Sequence, residues 1–109
     1  MPKGHLATKV YLALAESGDD DVWPNAARIY EEGDVVTPDI TKAFVLYSLS
    51  VEFPRFGQSQ SDDRDRIQKR LTARQLGQAE ALLRKWHEEP EAGMPWPHSS
   101  VAEVLNTEP

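Results

Sequence analysis

Apolar positions recur along most of this chain with the period of a helix, and no stretch alternates as a strand does. Leu6, Val10, Ala13 and Leu14 form an i, i+4, i+7, i+8 stripe, which predicts a helix over Leu6–Glu16 with that stripe inward. Ser17-Gly18 stops it, with Gly18 able to take the left-handed cap conformation. Asp19-Asp20-Asp21 then offers caps for a second helix and negative charge for its positive end. Pro24 suits the first turn, where no backbone donor is needed. That helix runs to about Glu32 with Ala26, Ala27, Ile29 and Tyr30 inward, and Gly33 ends it. Thr37-Pro38-Asp39 predicts a third start: Thr37 as N-cap, Pro38 at the first helical position, Asp39 facing the dipole. Ala43, Leu46, Tyr47 and Ser50 follow at helical spacing, and Pro54 closes the element.

Arg55 to Ser61 reads as a polar loop with a lone Phe56. A short helix over about Asp62–Arg70 carries Ile67 inward. Thr72-x-x-Gln75 is a capping box, opening a fifth helix to about His87 with Leu76, Ala79, Leu83 and Trp86 on one face. Gly77 inside it weakens it by roughly 1 kcal/mol relative to Ala and marks a candidate close helix contact. Pro90, Pro95 and Pro97 then interrupt regular structure, and Ser100-x-x-Glu103 can cap one more short helix near 100–106. The pattern therefore divides the chain into a helical domain, 1–87, and a proline-containing tail, 88–109.

One register recurs. Ala7, Tyr11 and Glu16 lie 36 residues before Ala43, Tyr47 and Glu52 (43 − 7 = 36). A fixed period of that size points to a helical repeat, which exposes a broad binding surface and seldom carries chemistry. Around Gly33–Val51 the residues resemble a Sel-one-like repeat, a bacterial-type relative of the tetratricopeptide repeat. The loop glycine and aspartate correspond to Gly33 and Asp39. The second helix matches at Ala43, Tyr47 and Ser50-Val51, and the first at Ala26-Ala27 and Tyr30. The segment from Leu71-Thr72 through Gln75, Ala79 and Trp86 is similar to the closing segment of many bacterial members. The chain departs from the pattern where Ala26-Ala27 replaces a leucine and a glycine, and where Ser50-Val51 replaces two alanines.

The resemblance implies an all-α fold, a short right-handed α-α solenoid of antiparallel helix pairs (a tetratricopeptide-like superhelix). It also implies a protein–protein adaptor or scaffold without catalysis. The opening residues MPKGHLATKV lack the apolar core of a signal peptide, so the expected location is the cytoplasm. The alternative is a dedicated inhibitor or immunity protein whose acidic stretch covers the basic cleft of a toxin or enzyme. In this register the chain opens on the second helix of a unit, so one apolar edge needs a cover. A second copy forming a homodimer, a partner, the tail, or an upstream segment can supply it.

Charge and composition narrow the chemistry. The 109 residues carry a net charge of −6, which lacks the basic footprint of a nucleic-acid protein. Residues 16–39 hold eight acids and one base (−7), and residues 40–87 five acids and nine bases (+4). These halves can pair within the molecule or face two surfaces. A mean hydropathy of −0.57 suits a soluble protein, and no apolar run approaches the ~20 residues of a membrane span. Zero cysteines removes disulfides and thiolate metal sites. His5, His87 and His98 show no ligand spacing, and Asp19–Asp21 lacks the alternating ligands of a calcium loop, so no metal or cofactor is expected. The partner-binding candidates are Trp23 at a helix entry, Arg28 with Glu31 and Glu32 on the first helix of the repeat, and Trp96. Trp86 reads as core. Trp96, within Met94-Pro95-Trp96-Pro97, either folds back or hangs as a docking peptide, and folding back is favoured.

Overall fold

Why this chain folds around its third helix follows from composition: from Ala43 to Ser50 every residue is buried, whichever way it faces. A helix buried all round must be surrounded by others. The computed structural model describes residues 2–33, 36–54 and 60–107. Among them lie six α-helices: α1 (Pro2–Glu16), α2 (Trp23–Glu32), α3 (Ile40–Glu52), α4 (Ser61–Gln68), α5 (Ala73–Glu88) and α6 (Val101–Thr107). Two 3-10 turns, Asp20–Val22 and Pro90–Ala92, lead into α2 and away from α5. There is no strand among the described residues, so the fold is all-α. Helix α3 packs on α2, α4 and α5, while α1 packs on α2 and α6. The radius of gyration, 13.5 Å, is that of a globule of this length. Of the loop Arg55–Ser61, residues 55–59, Phe56 included, lie outside the described residues.

The close approach of α2 and α3 rests on small side chains. Ala26, Ala27 and Ala43 are completely buried, and Tyr30 and Tyr47 fill the space beside them. Ile67 of α4 and Ala79 and Trp86 of α5 complete the core, with Leu76 and Leu83 packed against it. Trp86 makes edge-to-face contacts with Trp23 (centroids 5.7 Å apart) and Phe53 (5.7 Å). The expected capping box is present: Thr72 Oγ1 accepts from Gln75 N (3.1 Å), and Gln75 Oε1 accepts from Thr72 N (2.9 Å). Ser100 and Glu103 form its counterpart at α6, where Ser100 Oγ accepts from Glu103 N at 3.2 Å.

Three local expectations are corrected. Asp39, not Thr37, caps α3: its carboxylate accepts from Lys42 N at 3.0 Å, and its own N–H bonds Tyr30 O at 2.9 Å. A charged acceptor outcompetes a hydroxyl for the amides of the first turn. Pro38 instead lies outside the helix against Gly33, where any Cβ would come within 2.1 Å of the proline ring. Gly77 meets no neighbouring helix, since a Cβ there would stand in open space. On α1 the inward face is rotated from the expected stripe. Leu12, Ala13, Ala15 and Glu16 are buried, whereas Leu6, Val10 and Leu14 are only partly covered. The reason is that two elements cover this helix, α2 on one side and α6 on another.

Candidate functional site

Position 16 sits on the buried face of α1 one turn after Leu12, so the chain must place a carboxylate in its core. Glu16 is 4% exposed. Its Oε1 accepts from Tyr30 Oη at 2.8 Å and its Oε2 from Trp96 Nε1 at 2.6 Å. Its backbone carbonyl accepts from Met94 N at 2.8 Å. Burial first, then the neighbouring carboxylate, raises the Tyr30 phenol well above its usual range. Lys42 Nζ lies 5.2 Å from the Tyr30 ring centre and 5.3 Å from that of Trp96, at cation–π distance from both. The tail therefore closes back on the first helix through one acid. Gly93 makes this approach possible: at φ +82° a Cβ would come within 2.3 Å of the Glu16 carbonyl oxygen.

A second junction ties the acidic and basic halves together. Glu31 of α2 accepts from Tyr47 Oη of α3 at 3.0 Å. It is also bridged by both terminal nitrogens of Arg66 of α4, with Arg70 Nη1 at 3.4 Å. The hydrogen bond from Arg66 lowers the Glu31 pKa against the opposing effect of burial. Burial and the bond to Glu31 push the Tyr47 phenol up to about 12.

These contacts locate the expected partner-binding residues. Trp23 is 2% exposed, and its Nε1 donates to Ala15 O at 2.8 Å. Trp96 is folded back, as favoured, and is buried. Trp23 is enclosed in the core, while Trp96 keeps 9% of its surface exposed. Glu31 is engaged with Arg66 and not with Arg28. Arg28 and Glu32 are exposed on α2 and form no ion pair among the described residues. Asp19, Asp20 and Asp21 bring one carboxylate oxygen each within 4.8 Å, but Asp19 acts as a cap, accepting from Asp21 N at 3.1 Å.

Sequence reasoning missed an open cleft of ≈ 500 Å³ between the start of α3, the outer face of α5 and the tail. Thr41 and Lys42 line one side, Ala81, Leu82 and Lys85 the other, and Pro95 and Trp96 the end. It is built from residues more than 50 positions apart in the chain, so no local motif announces it. Its chemistry is a mainly apolar floor between two lysines, with the Asp39 carboxylate and the Gln78 amide also at its walls, and without a paired nucleophile and base. No helix among the described residues is long and apolar enough to cross a membrane. No protein-family model matches the chain, and neither does any curated protein or solved structure.

Proposed function

We propose that this protein is a non-catalytic protein-binding module, an adaptor or scaffold that holds a protein or peptide on its helical surface. The observation that carries this reading is the open cleft beside α3 and α5, apolar at its floor and cationic at its edges, on a chain whose buried polar groups largely bond one another. Pockets of this volume and mixed lining are the usual seats of small ligands and peptide side chains. We further read α2 with α3, and α4 with α5, as successive helix pairs of a short right-handed solenoid of the Sel-one-like kind, in the cytoplasm. The alanines between α2 and α3 and the tyrosines beside them support that reading. The inhibitor reading has less behind it, because Glu16, Glu31 and Asp39 of the acidic stretch are engaged internally.

The test is site-specific photo-crosslinking in extract of the native source, with the crosslinker placed at Gln78 in the cleft and at Arg28 on α2. A discrete protein adduct from either position is the expected result. Absence of any adduct from both positions overturns the reading.

A further inference from the structure

We propose that the α3–α5 cleft binds an acidic, leucine-type peptide segment, with an apolar side chain on Leu82, Pro95 and Trp96 and a carboxylate between Lys42 and Lys85. This rests on the protein-binding reading and names the chemistry of its partner. The argument is one of charge and shape together. The whole chain carries −6, yet two lysines and one acid, Asp39, line this cleft, and Asp39 is turned to the Lys42 amide as the cap of α3. The acids nearby are already engaged. Asp39 caps α3 through Lys42 N, and Glu16 lies buried on the polar edges of the same two rings that Lys42 covers. Lys42 is held in place by those rings, so it loses little freedom on meeting a carboxylate. Lys85, exposed on α5, supplies the second donor from the opposite wall. A basic or neutral peptide would leave both ammonium groups facing an apolar ligand without an acceptor, which disfavours it.

The experiment is an amide-resonance titration of the full chain with the synthetic peptide acetyl-Glu-Leu-Glu-Leu-Glu-Leu-amide, repeated with its glutamine-for-glutamate version. Expected are shifts at Thr41, Lys42, Leu82, Lys85 and the Trp96 indole, with binding weakened roughly tenfold for the glutamine peptide. A similar loss is expected for Lys85→Glu, an exposed position that tolerates the change. Equal binding of both peptides, shifts confined to another surface, or unchanged binding by Lys85→Glu overturns the proposal. Shifts of the same residues with protein concentration alone, together with a dimer mass, place a second copy in the cleft and also overturn it. If Lys85→Glu keeps the protein adduct that the native chain forms from Gln78, the cleft proposal fails while the protein-binding reading stands.

Discussion

The indole of Trp96 donates to the buried carboxylate of Glu16 at 2.6 Å, joining residues 80 positions apart. The bond is charge-assisted and sheltered from water, conditions under which a hydrogen bond contributes most. Trp96→Phe keeps most of the ring but removes the donor, so it should cost about 1–3 kcal/mol in urea unfolding. Glu16→Leu should cost more, since it strands the Tyr30 hydroxyl and the indole N–H together. Glu16→Gln should be mild, because its oxygen can accept from the indole while its amide donates to the Tyr30 hydroxyl. If Glu16→Gln proved as damaging as Glu16→Leu, hydrogen-bond satisfaction would not be the reason this acid is tolerated.

Trp86 provides the contrast. It is buried against Trp23 and Phe53, but its Nε1 has no partner among the described residues. Trp86→Ala should lower stability by roughly 3–5 kcal/mol, as for other large core truncations. Trp86→Phe should cost less than Trp86→Ala because it leaves a smaller cavity, and neither change removes a hydrogen bond. Thermal melts of the three proteins, read against Trp96→Phe, separate packing from hydrogen bonding at the two indoles.

Gly77→Ala should stabilise the protein by up to about 1 kcal/mol. The position is exposed within α5 and has open space where a Cβ would stand. A raised melting temperature is the expected readout. A lowered one would mean that the helix surface here is occupied in solution.

His87 Nε2 lies 2.7 Å from Glu52 Oε1, linking the end of α5 to the end of α3. That hydrogen bond raises the His87 pKa against the opposing effect of burial. A raised folded-state value means the pair stabilises fully below the ordinary histidine pKa of about 6.5. The contribution is lost as pH climbs through the raised value. Both side chains are more than a third exposed, so screening holds the effect to about 0.5 kcal/mol. The difference in urea midpoint between the native chain and Glu52→Gln should therefore be larger at pH 6 than at pH 8.

The helices were legible because their signals are local. Thr72-x-x-Gln75, the alanines at 26, 27 and 43 and the buried role of Trp86 all follow from spacings of a few residues. What escaped depends on distant partners. Glu16 looked equivalent to Glu52 in the 36-residue register, yet one is buried and the other exposed. The Tyr30 hydroxyl and the docking of Trp96 and Met94 distinguish them, and none of these partners is encoded near position 16. The cap of α3 was displaced by two residues: Thr37 and Asp39 are both good caps, and the charged acceptor takes the first-turn amide while Pro38 lies against Gly33 outside the helix. The cleft was illegible because its walls come from α3, α5 and the tail.

The Glu16–Trp96 bond also bears on the order in which the molecule is made. Helices whose contacts are all with chain neighbours can settle as soon as those neighbours exist. Helix α1 leaves the ribosome carrying an acid whose second donor is synthesised 80 residues later. Until then the carboxylate must stay hydrated and the face around it unsealed. The buried face of α1 therefore waits on residue 96 before it closes, so the folding of this helix is coupled to the tail rather than local.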